Sequence, residues 1–136
     1  MGIKRIDHLG IAVKDIEESL KRWKELFGAK VGVVEEIKER RVKVAHLEFE
    51  DGSAIELVAS LGEDSPIEKF IKEKGEGIHH LSFEVEGIEE VMEVLKDKGI
   101  QFIQERPQKG AEGSKVVFIH PRNLKGVLLE LKEKRK

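Results

Sequence analysis

The sequence contains no cysteine, which excludes disulfide bonds and thiol chemistry. It also lacks a run of about 18 apolar residues, so no transmembrane helix is predicted. The 25 basic and 27 acidic residues nearly cancel, which argues against the basic surface of a nucleic-acid-binding protein. The first ten residues, MGIKRIDHLG, lack the apolar segment of a signal peptide, and we therefore expect a cytoplasmic protein.

What is present is a short chain that is rich in charge. Its 136 residues have the size of one ordinary domain, and we expect a single domain over residues 1–136. Charged residues make up 38% of the chain and hydrophobic residues 39%, which is enough for a core. The excess of Lys and Glu is typical of heat-adapted intracellular proteins. We expect neither nucleic acid nor a membrane among its partners.

A repeated pattern divides the chain into two similar halves. The segment HLGIAVKDIEESLKRWKELFG, beginning at His8, aligns with HLSFEVEGIEEVMEVLKDKG, beginning at His80. Further on, AIELVAS (54–60) matches LLELKEK (128–134). Each half reads as a strand, a helix and further strands, which predicts an α+β fold of two tandem βαβββ modules. We expect a mostly antiparallel sheet, curved round a metal-containing cleft, with the helices outside. The modules are predicted at about 3–61 and 77–132, with a connector at about 62–76.

The helices are predicted from their caps and their apolar spacing. Asp15 is expected to cap the first helix, Gly28 to end it, and Gly99 to end the second. Apolar residues at helical spacing are predicted to face the core: Ile16, Leu20, Trp23 and Phe27 in the first helix, and Ile88, Val91, Met92 and Leu95 in the second. Besides the two strands that begin the modules, strands are predicted at 30–37, 42–49, 54–59, 100–104, 115–120 and 126–132.

Alternation along the strands predicts a metal site. His8 and His80 fall on the strand faces opposite the bulky apolar residues, in equivalent positions of the two modules. Glu56 and Glu130 each stand between two large aliphatic residues, which does not suit a core position. Imidazole and carboxylate together suit a divalent transition metal, and four protein ligands on an octahedral ion leave two positions for water or substrate. We therefore predict one ion per chain, held by His8, Glu56, His80 and Glu130. Cobalt is preferred, with nickel, zinc or manganese as alternatives.

Four stretches carry a resemblance to a known family. IDHLGIAVKDIEESLKRWKELFG, GIHHLSFEV, KGAEGSKVVFIHP and KGVLLEL are similar, in order and spacing, to the methylmalonyl-CoA epimerases of the vicinal oxygen chelate superfamily. The resemblance covers nearly the whole chain. It implies methylmalonyl-CoA as substrate, removal of the proton at carbon 2, and its return through a metal-stabilised enolate, so that the 2R and 2S epimers interconvert. It also implies a homodimer.

The resemblance also implies roles for individual residues. Glu130 is expected to serve both as a ligand and as a base. The second acid/base stays open, because Val44 aligns with the family's glutamate, while His46 and Glu48 share that strand face and are the candidates. The loop GAEGSKV is similar to the family's loop beside the acyl group. Contacts to the CoA substrate are therefore expected from Gly113, Ser114 and Lys115, with Lys109 as a further candidate for the phosphates.

Two other functions are weighed against this one. A glyoxalase I-type lyase would share the metal ligands, but related bacterial enzymes usually carry an arginine on the first strand where Ala12 stands. A ligand-binding protein without catalytic activity would share the fold, but such proteins often lose metal ligands, and all four predicted ligands are present here.

Overall fold

The computed structural model describes all 136 residues as three α-helices and eight β-strands, with short 3₁₀ turns. The helices are α1 (Ile16–Phe27), α2 (Pro66–Lys74) and α3 (Ile88–Asp97). The strands are β1 (Ile3–Ala12), β2 (Lys30–Ile37), β3 (Val42–Glu48), β4 (Ala54–Ser60), β5 (Gly77–Val85), β6 (Gln108–Lys109), β7 (Lys115–Ile119) and β8 (Leu129–Glu133). The predicted α+β fold is confirmed.

Hydrogen bonds connect the strands in the order β2-β3-β4-β1-β5-β8-β7-β6. Two pairs are parallel, β1 with β4 and β5 with β8. The pairs β2–β3, β3–β4, β6–β7 and β7–β8 are antiparallel. Each half therefore has the order βαβββ in a mostly antiparallel sheet, as the repeat predicted.

The chain divides into two compact units, and the boundary between them falls inside strands. We call His8–His79 the contiguous unit, and Met1–Asp7 together with His80–Lys136 the discontinuous unit. Strand β1 therefore contributes its first residues to one unit and its last residues to the other. The domain and module limits given by the sequence stay a prediction.

The contiguous unit has its own apolar core. Helix α1 packs on β3 and β4. It begins where Asp15 accepts a hydrogen bond from the Glu18 N–H (3.0 Å) and ends where Gly28 adopts a φ of 62°. Both caps are as predicted. The buried cluster beneath the helix consists of Val13, Ile16, Ala45, Leu47, Leu57 and Ala59.

The discontinuous unit has a second core, built around α3. The helix packs on β8, and its apolar stripe turns toward β7 and β8. The buried cluster consists of Val85, Ile88, Val91, Met92, Val117, Ile119, Leu129 and Leu131, with Leu95 partly buried against it. The apolar stripe predicted for this helix is confirmed.

The strand predicted at 100–104 is wrong. This segment makes only an isolated pairing, between Phe102 and Ile119, and the two-residue strand β6 comes later, at Gln108–Lys109. The physical reason lies in Gln104. Its side-chain oxygen accepts a hydrogen bond from the Phe118 N–H (2.9 Å), so a side chain takes the place that a backbone carbonyl would have in a continuous ladder.

Phe27 was predicted to pack in the core, and this is wrong as well. Its side chain is 67% exposed, although its ring lies 5.4 Å from that of Trp23. Phe27 is the last residue of α1, immediately before the left-handed Gly28. The helical spacing of the apolar stripe therefore extends one turn beyond the part of the helix that the sheet covers.

No helix in the structure is both long enough and apolar enough to cross a membrane.

Candidate metal centre

Three of the four predicted ligands lie together. His8 on β1, His80 on β5 and Glu130 on β8 are all buried, and one ligating atom from each lies within 4.8 Å of the others. Two imidazoles and a carboxylate are the donors that a divalent transition ion prefers. Burying a carboxylate away from water is costly unless a partner compensates it. The donor set and its burial therefore fit a metal ion.

Strand register explains why His80 and Glu130 share a face. In the parallel pair β5–β8, Ser82 lies beside Glu130, and His80 precedes Ser82 by two positions on the same face. The neighbouring residues Leu81 and Leu129 point to the opposite face, where they contribute to the core. The alternation proposed from the sequence is thus present in the structure.

Glu56, the fourth predicted ligand, lies beside His8 and also binds a second histidine. Its Oε1 lies 3.6 Å from His8 Nε2, while its Oε2 lies 2.9 Å from His46 Nε2. In the sheet Glu56 stands between His46 on β3 and Gly10 on β1. Glu56 is not part of the three-residue group, and its assignment as a ligand stays a prediction.

The ring of Phe118 packs against the ring of His80. The edge of one ring meets the face of the other, because the planes of His80 and Phe118 cross at 89° with centroids 5.6 Å apart. Phe118 lies on β7 directly opposite Glu130. The sequence alone does not identify Phe118, since its position opposite Glu130 becomes visible only once the β7–β8 register is known.

Ser82 is a second residue of the site that the sequence analysis did not assign. It is fully buried beside Glu130, and its Oγ has no hydrogen-bond partner. A buried hydroxyl without a partner costs about 1–3 kcal/mol. The signal was available, because Ser82 shares the strand face of His80.

The two candidates for the second acid/base have different surroundings. His46 is buried, and its Nε2 is within hydrogen-bond distance of Glu56. Glu48 is exposed at the end of β3, and its carboxylate lies against Gly32. Val44, which aligns with the family's glutamate, is buried and has no proton to transfer.

The predicted acyl loop borders a cavity of about 230 Å³ in the discontinuous unit. Ser114 is buried there, and its Oγ has no hydrogen-bond partner. A Cβ at Gly110 would lie 2.6 Å from this oxygen, so the loop requires glycine at that position. The cavity is lined by Ala111, Glu112, Ser114, Lys132, Lys134 and Arg135. Gly113 and Lys115, the other predicted contacts, lie in a neighbouring exposed groove that also includes Ser114 and Lys109.

Two lysines near this cavity form ion pairs. Lys115 lies 3.1 Å from Glu89 at the surface, and this hydrogen bond holds the pKa of Glu89 below its usual value. Exposed pairs of this kind contribute little to stability. Lys132 is buried and lies 3.4 Å from the buried Asp7. No local pattern predicts this second pair, because strand alternation places Asp7 among apolar residues.

Several known proteins are similar to this chain over most of its length. A family model described as the Glyoxalase/Bleomycin resistance protein/Dioxygenase superfamily matches residues 7–118. YqjC of Bacillus subtilis, described as uncharacterized, is 38% identical, with 96% of this chain and 93% of that protein covered. The mitochondrial methylmalonyl-CoA epimerase of Dictyostelium discoideum is 37% identical, with 98% and 81% covered. An ethylmalonyl-CoA/methylmalonyl-CoA epimerase of Cereibacter sphaeroides is 36% identical, with 96% and 98% covered.

Solved structures of methylmalonyl-CoA epimerases are also similar to this chain. The methylmalonyl-CoA epimerase of Mycobacterium tuberculosis superposes with a TM-score of 0.95 at 30% identity, covering 98% of this chain and 90% of that one. A variant of the Streptomyces coelicolor methylmalonyl-CoA epimerase, in complex with 2-nitronate-propionyl-CoA, superposes with a TM-score of 0.92 at 32% identity, covering 98% and 99%.

Proposed function

The chain belongs to the Glyoxalase/Bleomycin resistance protein/Dioxygenase superfamily, and on this premise we propose that it is a metal-dependent epimerase of methylmalonyl-CoA. One observation carries the proposal. The buried group of His8, His80 and Glu130 occurs in a chain that is 36–37% identical, over nearly its whole length, to proteins named as epimerases of this substrate. Both the residues for a metal and the overall similarity therefore support the same reaction.

The ion would be held by His8, His80 and Glu130, with Glu56 as the fourth ligand. Once bound, it supplies Lewis acidity to an acyl oxygen of the substrate, which increases the acidity of carbon 2. Cobalt is our preferred ion, and nickel, zinc and manganese tolerate the same donors. Burial of the ligating side chains excludes bulk water from them, which strengthens electrostatic interactions in the site.

Epimerisation needs a proton to leave one face of carbon 2 and a proton to arrive on the other. We assign the first transfer to the Glu130 carboxylate, which takes the proton while the electron pair of the C–H bond delocalises toward the thioester carbonyl. A second group gives a proton to the opposite face. His46 and Glu48 are the candidates for this group. Both lie on the same face of the sheet as Glu56, because His46 pairs with Glu56 and Glu48 pairs with Ala54.

The acyl-CoA is proposed to lie along the loop at 110–115. Ser114 lines a cavity together with three basic residues, which suits the carboxylate of a malonyl thioester. Gly113 allows the loop its left-handed turn, with a φ of 72°. Lys115 and Lys109 are exposed at the neighbouring groove and are proposed to meet the CoA phosphates. The homodimer and the cytoplasmic location stay predictions.

The test is isotope exchange. Metal-loaded protein is incubated in deuterated water with one epimer of methylmalonyl-CoA, and the label at carbon 2 is followed together with the appearance of the other epimer. We expect exchange with inversion, its loss on treatment with a chelator, and its return with a divalent ion. The absence of exchange with every ion tested would contradict the proposal. A positive glyoxalase assay would then indicate a lyase, and a negative one would indicate a binding protein without catalytic activity.

A further inference from the structure

The carboxylate of Glu56 has two oxygens in two different environments. Oε2 lies 2.9 Å from His46 Nε2, and Oε1 lies 3.6 Å from His8 Nε2. All three side chains are buried, with exposed fractions of 5% for His46, 7% for Glu56 and 1% for His8. Each oxygen therefore faces one imidazole, and no bulk water competes for either.

The shorter contact is a hydrogen bond. Because an ionised carboxylate only accepts, this bond forms in the His46 tautomer that carries its proton on Nε2 and donates it to Glu56. The strand register makes this bond possible, because His46 and Glu56 are direct cross-strand neighbours in the antiparallel pair β3–β4. The bond engages Oε2 and restricts rotation of the carboxylate.

The longer contact suits a shared ion. A separation of 3.6 Å exceeds the length of an N–H···O hydrogen bond. Two bonds of about 2.1 Å each, as zinc makes to histidine nitrogen and carboxylate oxygen, span up to about 4.2 Å. His8 Nε2 and Glu56 Oε1 are therefore close enough to bind the same ion, while Oε2 stays with His46.

From this geometry we propose that His46 is a positioning residue for the metal site. It holds Glu56 so that one carboxylate oxygen, Oε1, is presented beside His8 and the other is kept away from the ion. Glu56 would then take one coordination position instead of two, which would leave room on the ion for a substrate that binds through two oxygens. The inference rests on the metal site of the proposed function. It gives His46 a role other than proton transfer, so that Glu48 remains the candidate for the second acid/base.

The experiment measures metal binding without substrate. Metal-free protein is titrated with Co²⁺, whose visible absorption reports the coordination number, and affinity is measured by calorimetry. The variants are His46→Leu, which has no donor, and His46→Gln, whose amide N–H can replace it. His120→Leu is the control, because the His120 ring accepts a hydrogen bond from the Arg122 N–H instead. Circular dichroism of each metal-free variant reports whether it is folded.

We expect His46→Leu to weaken Co²⁺ binding about 10–100-fold and to change the visible spectrum, as loss of an outer hydrogen-bond partner does elsewhere. His46→Gln should recover most of the affinity, and His120→Leu should match the unsubstituted protein. In a Glu56→Ala background, His46→Leu should have no further effect, because the two residues act through one bond.

The outcomes separate this inference from the proposed function. Unchanged affinity and spectrum in His46→Leu, or an equal loss in both backgrounds, would overturn the positioning role and leave the metal site intact. Failure of the unsubstituted protein to bind Co²⁺, Ni²⁺, Zn²⁺ or Mn²⁺ would overturn the metal site itself. If His46→Leu does not fold, the comparison moves to His46→Gln and His46→Asn. The shorter Asn side chain should lose the affinity that Gln keeps, and equal affinity in both would count against the proposal.

Discussion

A buried ionisable side chain in a strand needs a compensating partner, so replacing single residues of the site tests whether that partner is a metal ion. Glu56→Ala and His80→Ala each remove a proposed ligand, so we expect each variant to lose metal and activity together. Metal content per chain and the epimerase assay are measured on the same preparation. His120→Ala is the matched control. Full metal content and activity in both ligand variants would rule out the four-ligand set.

Replacing Ser114 should affect substrate binding and the free energy of unfolding differently. Its buried Oγ has no hydrogen-bond partner in the structure, so Ser114→Ala removes a hydroxyl that costs free energy in the ligand-free protein. We expect the free energy of unfolding to stay equal or to rise by up to about 1 kcal/mol, while KM for methylmalonyl-CoA rises about tenfold. Denaturant unfolding and steady-state kinetics measure the two quantities. A large loss of stability with an unchanged KM would show that Ser114 has only a structural role.

The site residues differ in how far the sequence could predict them. The repeat and the strand alternation were sufficient to place His8, His80 and Glu130 on one face of the sheet, because periodicity determines the face on which a side chain lies. Neither could identify Phe118, which depends on the β7–β8 register, nor the bond between His46 and Glu56, which depends on two rotamers. Such contacts are set by tertiary packing and leave no local pattern in the sequence.

Helices with capping residues begin and end where the sequence predicts. Helix α1 shows what one capping bond contributes to stability. Asp15 accepts the hydrogen bond of the Glu18 N–H in the first turn, where that N–H has no partner within the helix. We expect Asp15→Ala to lower the free energy of unfolding by about 1 kcal/mol, or the melting temperature by about 3 °C. Cobalt affinity should not change.

Thermal unfolding, followed by circular dichroism, measures this effect. Asp64→Ala is a suitable control, because Asp64 is an exposed residue in a turn. An equal loss in both variants would show that the capping bond contributes nothing specific.

The wrong strand prediction at 100–104 is the opposite case. There a side chain, Gln104, makes the hydrogen bond that local propensity had assigned to the backbone.

At the scale of the whole molecule, the proposed ligands lie far apart in sequence, at positions 8, 80 and 130. An ion that binds this group binds only the folded chain, and it should raise stability by about 4 kcal/mol at a concentration 1,000 times its dissociation constant. We expect saturating Co²⁺ to raise the melting temperature and a chelator to reverse the rise. The same addition to His80→Ala should have little effect. An equal rise in both proteins would indicate binding elsewhere.

The crossing of β1 from one unit to the other also has a consequence for the order of events in folding. The contiguous unit uses one stretch of chain, residues 8–79, whereas the discontinuous unit must bring position 2 to position 86, where the Glu86 N–H donates to the Gly2 carbonyl (2.8 Å). Closing so long a loop is entropically costly and slows folding. In pulsed hydrogen exchange during refolding, we expect amides of β3 and β4 to become protected before those of β5 and β8. Simultaneous protection would mean that the chain folds in one kinetic step. If the predicted order holds, the site becomes able to bind metal only in the last phase of folding.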